Sequence, residues 1–309
     1  MFKKSKLNQA KLKKLFKSPH FFYGLFLGLG IFLTLLPSSY RYTKNNDIFT
    51  FKHPPQPVVV GNDKPLLSTD YYILIDNDTN QILASKNENT RIYPASTTKL
   101  ATALTALNVY PLEEVVTISG DYVDGKVMEL KAGDRVTIKT LVAGLLIHSA
   151  NDAAFSLASH YPKGVSAFID QMNILAKKYG LNNTNFTNFD GLHGPDHFST
   201  LYDLGQLSRL AFQNPTLRHY VKVNSLELSD IHGQKKYQVV NTNELLGKIP
   251  EIEGLKTGWT PESGGSFIAL INIDGHYLIS IVTQSQDRFN DTKVLINWAK
   301  NNLTWRNYR

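Results

Sequence analysis

Sequence with strand character lies at two places far apart in this chain, and sequence with helix character lies between them. Tyr71-Tyr72-Ile73-Leu74-Ile75 and Gln81-Ile82-Leu83-Ala84-Ser85 are short β-rich runs separated by Asp76-Asn77-Asp78-Thr79-Asn80. Residues of that kind close a hairpin, because Asn and Asp hydrogen-bond their own backbone and tolerate left-handed conformations. Two more such runs, Ser266 to Ile273 and Tyr277 to Thr283, are joined across Asp274-Gly275, another hairpin signal. The intervening sequence predicts helices over Leu100 to Val109, around Leu141 to Leu146, over Asn151 to His160 and over Val165 to Tyr179. A final amphipathic helix is predicted over Asp291 to Asn301. Strands at both ends with helices between point to one sheet built from the two distant pairs. The expected class is α+β, an α/β sandwich: an antiparallel sheet flanked by helices, with an inserted helical subdomain.

The first 66 residues do not fit that scheme. Lys3, Lys4, Lys6, Lys11, Lys13, Lys14 and Lys17 precede Phe21 to Leu36, FFYGLFLGLGIFLTLL, a run without charge. A basic flank followed by an apolar run holds the lysines in the cytoplasm and sends the rest of the chain across. No convincing small-residue cleavage site follows, so the expectation is a retained anchor. Residues 1–19 then form a basic cytoplasmic tail and 20–37 a transmembrane signal anchor. Residues 38–66, with Pro54, Pro55 and Pro57, form a spacer, and 67–309 the catalytic domain. The expected location is the cell membrane, with a single pass and the folded domain on the outside.

Those lysines also account for the net charge of +7. Taking the seven from 33 basic residues leaves 26 against 26 acidic ones, so the folded part is formally neutral. Nucleic acid, which calls for a basic face on the domain, is not an expected partner. The chain has no cysteine, which excludes disulfides, thiolate metal sites and a cysteine nucleophile.

Chemistry concentrates at three points. Pro94-Ala95-Ser96-Thr97-Thr98-Lys99 puts a serine just ahead of a helical pattern with a lysine three residues on. Positions i and i+3 share a helix face, so Lys99 reaches Ser96 through local structure alone. A serine hydroxyl needs a base to become a nucleophile, and a lysine serves as one only when its pKa is depressed. Taken alone, Ser96 reads equally as a helix cap and Lys99 as a solvated cation. Ser149-Ala150-Asn151 lies between two helical stretches, and Lys256-Thr257-Gly258-Trp259 precedes the late hairpin. The order S-x-x-K, S-x-N, K-T-G is that of the penicillin-recognising serine enzymes. His193-Gly194-Pro195-Asp196-His197 suggests a metal at first sight. No H-E-x-x-H or similar ligand helix accompanies it, and it reads as a loop. No metal or cofactor is expected.

With these motifs the sequence resembles the low-molecular-mass D,D-carboxypeptidases among the penicillin-binding proteins, over about Tyr72 to Trp298. The resemblance is also carried by Leu130-Lys131-Ala132-Gly133-Asp134, by Asp152-Ala153-Ala154, by Asn185 to Leu192, by His197-Phe198-Ser199-Thr200 with Asp203-Leu204, and by Gly254-Leu255. It implies the serine β-lactamase/DD-peptidase-like fold and removal of the terminal D-alanine from peptidoglycan stem peptides ending in D-Ala-D-Ala. It also implies covalent acylation by β-lactams. By that resemblance Ser96 attacks, Lys99 is its base, and Ser149 relays a proton to the leaving amine. Asn151 would hold the Lys99 side and the substrate amide. Lys256 and Thr257 would bind the terminal carboxylate, and Gly258 would let the strand lie close to the ligand. The backbone N–H groups of Ser96 and Trp259 would form the oxyanion hole. The rivals are a D,D-endopeptidase, a β-lactamase and a non-catalytic wall-binding module. The β-lactamase is disfavoured by glutamate placement: between Asn151 and Lys256 only Glu227, Glu244, Glu251 and Glu253 occur, all late.

Overall fold

A computed structural model describes residues 54–61 and 63–307. In chain order the elements are β1 (Gln56–Val59), β2 (Tyr71–Asp76), β3 (Ile82–Lys86), a 3-10 turn (Ala95–Thr98), α1 (Lys99–Val109), β4 (Val115–Thr117), β5 (Arg135–Thr137), α2 (Ile138–Ile147), α3 (Asn151–Ser159) and α4 (Gly164–Lys178). There follow α5 (Leu201–Gln213), α6 (Pro215–Tyr220), β6 (Ser225–Ser229), β7 (Lys236–Val240), β8 (Ile252–Thr260), β9 (Gly264–Ile273), β10 (His276–Ser285), α7 (Arg288–Asn302) and β11 (Leu303–Arg306). The expected tail, membrane segment and first part of the spacer lie outside the described residues. No helix among the described residues is long and apolar enough to cross a membrane.

The distant hairpins meet as expected, in a five-stranded antiparallel sheet of order β3-β2-β10-β9-β8. Side chains alternate across a strand, and both faces are covered. Ile73, Ile75, Ile268, Leu270, Ile279 and Ile281 pack into a core with α1, α2 and α5. Tyr72, Leu74, Phe267, Ala269, Ile271 and Val282 pack on Leu295, Ile296, Trp298 and Ala299 of α7. Double burial is why these strands read as nearly continuous apolar runs.

The helical insertion is built around α2, whose Ile138, Leu141, Val142 and Leu145 to Ile147 are all buried. A helix apolar over most of its surface belongs inside a core. Thr137 starts it by accepting from Thr140 N at 3.1 Å, the ordinary N-cap device.

The domain begins earlier than expected. Gln56–Val59, placed by sequence in the spacer, pairs antiparallel with Leu303–Arg306. The next residues are fastened to α7: Trp298 Nε1 donates to Asp63 O at 2.6 Å, and Ser68 Oγ donates to Asp291 Oδ2 at 2.7 Å. The prolines that suggested an extended spacer are equally at home in an edge strand, where a missing N–H costs no ladder bond.

Candidate active site

The two walls of a cleft come from different parts of the fold. One is helical: the turn before α1, the α2–α3 junction and the 185–192 loop. The other is β8, an edge strand of the sheet.

On the helical wall the 3-10 turn runs directly into α1, and Lys99 N–H donates back to Ser96 O and Thr97 O. This winding stacks Lys99 over Ser96, with Nζ 3.0 Å from Oγ. Nζ also donates to Asp190 O at 2.6 Å. Lys99 is fully buried. Burial lowers its pKa to about 8, against the opposing pull of the Asp190 carboxylate. Ser96 itself is only half-buried, so its hydroxyl stays within reach of a ligand.

The sequence reading assigned Asp190 no role. Its carbonyl is aimed by a tight loop: Gly191 N donates to Asn188 Oδ1 at 2.7 Å, Thr102 Oγ1 to Phe189 O at 2.6 Å, and Tyr122 OH to Asp190 Oδ2 at 2.7 Å. Gly191, at φ +87°, leaves no room for a side chain, because a Cβ there would run into the Ala95 carbonyl. The Asn-x-Asp-Gly run announces a sharp turn, but nothing local says which lysine its carbonyl meets.

His197, once weighed as a metal ligand, is a buried structural group. Its Nδ1 accepts from Thr187 N at 3.1 Å, which leaves the proton on Nε2, 2.8 Å from Thr98 Oγ1. Burial pushes its pKa down to about 4, with the charges of His193 and Lys99 acting the same way against Asp190. Both ring nitrogens are therefore engaged in a neutral imidazole. Among the described residues no group of three or more His, Asp or Glu is placed to hold a metal.

Ser149 and Asn151 stand at the α2–α3 junction. Ser149 is buried, with φ +63°, a strained conformation for a residue with a side chain. Ala95, just before Ser96, is likewise left-handed at φ +48°. Asn151 makes no hydrogen bond to Lys99. Its Nδ2 donates to Asp124 O at 2.8 Å and its backbone N to Lys126 O at 2.6 Å. The next residue, Asp152, accepts from Met128 N and Leu130 N, each at 3.0 Å. These two side chains bind the 124–130 segment, and Tyr122 ties that segment to Asp190.

On the strand wall Lys256 is 1% exposed and, among the described residues, its Nζ donates only to Thr257 O, at 3.1 Å. Burial holds its pKa well below the usual lysine range, helped by the charges of Lys99, Lys126 and Arg288. Several cations converge on one cleft, which creates a field suited to an anion. Thr257 Oγ1 donates to Thr242 Oγ1 at 2.6 Å, and Thr242 N donates to Ile147 O at 3.3 Å. Thr242, missed from sequence, thus links the strand wall to the end of α2. A Cβ on Gly258 would stand 3.1 Å from Ser96 N and 3.4 Å from Pro94 O, so glycine brings β8 against the turn. The Trp259 side chain is 61% exposed at the rim.

Comparison with known proteins agrees with this architecture. Residues 59–287 match the Peptidase_S11 family, D-alanyl-D-alanine carboxypeptidase. The D-alanyl-D-alanine carboxypeptidase DacD of Escherichia coli is 33% identical over 260 residues, covering 78% of this chain and 65% of that protein. DacF of Bacillus subtilis is 31% identical over 62% of this chain and 51% of its own length. The chain therefore spans from half to just under two thirds of the length of these relatives. The crystal structure of the Streptomyces K15 DD-transpeptidase superimposes with a TM-score of 0.73 at 31% identity, over 77% of this chain and 99% of that one. The fold is thus that of a recognised group, and the chain belongs to the D-alanyl-D-alanine carboxypeptidase family.

Proposed function

We propose that this chain is a serine-type D,D-carboxypeptidase that removes the terminal D-alanine from peptidoglycan stem peptides. The observation that carries the reading is the buried Lys99 amine 3.0 Å from Ser96 Oγ, with a pKa near 8. At pH 7 about a tenth of such an amine is neutral, several hundredfold more than at the ordinary lysine pKa of 10.5.

In the proposed reaction Lys99 takes the Ser96 hydroxyl proton as Oγ attacks the carbonyl of the penultimate D-alanine. The N–H groups of Ser96 and Trp259 hold the oxyanion. Ser149 relays the proton held by Lys99 to the amide nitrogen, the C–N bond breaks, and free D-alanine leaves. An ester to Ser96 remains. Water then adds to that ester and gives its proton to Lys99, which passes it to Ser96 Oγ as the ester C–O bond breaks and the shortened peptide departs. Lys256 and Thr257 hold the substrate carboxylate in the positive part of the cleft. A β-lactam ring opens onto Ser96 by the same first step and forms a stable ester. Residues 20–37 anchor the protein in the cell membrane, with the tail inside and this domain outside.

The test is release of free D-alanine from a muramyl pentapeptide by the full-length protein in detergent, with Ser96→Ala as control. Serine-dependent release is expected. Penicillin labelling that survives Ser96→Ala would refute the nucleophile assignment. The likeness to a structure named as a DD-transpeptidase favours a second reading for the last step, in which an amine replaces water. Adding glycine as acceptor and scoring the new peptide bond separates the two. For the anchor, protease added to intact spheroplasts should digest the domain, and protection would overturn the proposed topology.

A further inference from the structure

A second concentration of charge lies at the other end of the sheet. Gly258, which abuts the Ser96 turn, pairs with Ser266 on β9, whereas Tyr277 on β10 pairs with Asn272. From Ser266 to Asn272 the strand covers about 20 Å. Tyr277 O accepts from Asn77 N at 2.8 Å, so the β2–β3 turn belongs to this far end.

Between that turn and the α5–α6 corner lies a cavity of about 470 Å³ lined by Asn77, Asp78, Arg209, Phe212, Gln213 and Arg218 among others. In α5, Arg209, Phe212 and Gln213 stand at i, i+3 and i+4 and share one helix face. The turn fixes the first guanidinium: Arg209 Nε donates to Asn77 O at 2.9 Å and Nη1 to Gln206 Oε1 at 3.3 Å. Aromatic rings fix the second. The Arg218 guanidinium rests 4.3 Å from the centre of Phe212 and 5.2 Å from that of Tyr277, and its Nη2 donates to Tyr277 OH at 3.0 Å. All of these partners are neutral. Among the described residues neither arginine takes part in an ion pair, and Arg209 Nη2 and Arg218 Nη1 make no hydrogen bond. Arg218 also lies within electrostatic reach of Glu253, whose carboxylate is paired with Lys222. Two cations held at one cavity repel each other, and a bound anion offsets that repulsion. One carboxylate, Asp78, shares the lining; it is exposed and accepts from Asn77 Nδ2 at 3.0 Å. It repels a bare anion and welcomes a ligand that brings a hydrogen-bond donor as well.

We infer that this cavity binds the phosphate ester of a polyol, a chemistry shared by soluble glycerol phosphates and by phospholipid headgroups. The two guanidinium forks receive the phosphate oxygens. A hydroxyl of the polyol donates to Asp78, which favours the ester over inorganic phosphate. The site uses none of the groups around Ser96 and stands apart from the carboxypeptidase reading.

The experiment titrates the full-length protein in nonionic detergent with glycerol 3-phosphate and with inorganic phosphate, read by calorimetry. Saturable binding is expected, the ester ahead by about tenfold. Arg209→Gln and Arg218→Gln should each weaken both ligands by about tenfold or more. Asp78→Ala should tighten inorganic phosphate and erase the advantage of the ester. That change touches an exposed group, so it carries the test even where Arg218→Gln fails to fold. A second arm adds phosphatidylglycerol, or phosphatidylcholine with no headgroup hydroxyl, to the micelles and reads the change in Tm. A rise with phosphatidylglycerol alone, lost in Arg209→Gln, assigns the lipid headgroup as the source. Binding of the soluble ester without that rise assigns a phosphate outside the lipid. No saturable binding of either phosphate and no rise with either lipid overturns the site, as does binding that both arginine changes leave untouched. Equal affinity for the ester and inorganic phosphate overturns the polyol half of the proposal.

Discussion

The helical and strand walls of the cleft each bury a lysine, and they hold it in different ways. Lys99 is placed by local winding and by two oxygens, Ser96 Oγ and Asp190 O. Lys256 is placed by sheet register, opposite Ile268 on β9, and among the described residues its Nζ hydrogen-bonds only the adjacent Thr257 carbonyl. The first arrangement suits a group that must exchange one proton with one neighbour. The second leaves a cation short of partners, which is the condition for gripping an incoming carboxylate. Burial depresses both pKa values, which suits the proposed base in one wall, while in the other an incoming carboxylate would favour the charged form against it.

The most severe way to break this comparison is to remove the chemistry from one wall. Ser96→Ala or Lys99→Met should lower the rate of acylation by benzylpenicillin by about 10⁴-fold or more, read by intact-mass labelling. Lys256→Met should leave slow acylation measurable and act mainly through KM.

The next test is pH. With Lys99 as the proposed base, the acylation rate should rise about tenfold per pH unit below the pKa near 8 and level off above it. Stability has a matching sign. Because the folded pKa of Lys99 lies below its ordinary value of 10.5, the unfolded chain binds more protons between about pH 8 and 10.5. This group's contribution to stability therefore increases through that window, and Lys99→Met should flatten that part of the profile in denaturant melts.

The two glycines separate the walls on a finer scale. Gly191→Ala places a methyl group in the Ala95 carbonyl at a left-handed backbone position, and should cost about 2 kcal/mol or more of stability. Gly258→Ala makes contacts no closer than 3.1 Å. It should cost less than about 1 kcal/mol, with a larger effect on acylation than on unfolding. Equal losses at the two sites would contradict the different room the two walls leave at their glycines. Smallest in its effect on rate, Tyr122→Phe removes the 2.7 Å bond to Asp190 Oδ2, and should cost about 1.5 kcal/mol in urea unfolding with only a several-fold loss of rate.

What could be read from sequence followed from what is local. The strands β2, β3, β9 and β10 declared themselves by apolar runs broken by turn residues, and α1 to α4 by their composition. Ser96 and Lys99 share a helix face, so their contact needed no tertiary knowledge. By contrast, SLELS and KYQVV in β6 and β7 are half polar, as befits a two-stranded ribbon, and gave little periodic signal. Thr200 and Asp203 do mark the start of α5, where the threonine hydroxyl accepts from Asp203 N, a signal left unused. Asp190, Thr242 and His197 act through partners 91, 15 and 99 residues away, and no local pattern encodes those meetings. The spacer boundary was misplaced for the same reason, since β1 becomes a strand only because β11 lies beside it.

That last pairing has a mechanical consequence. Gln56 stands opposite Arg306, and Val59 opposite Leu303, so the outer ends of the two strands leave the domain side by side. A force pulling residues 54 and 307 apart loads the hydrogen bonds one after another, as a zipper is opened, rather than all together in shear. The clasp should yield at low force and in steps. The five-stranded sheet holding the cleft comes under load only afterwards, so stretching the ends would loosen the seam of the domain before it disturbs Ser96.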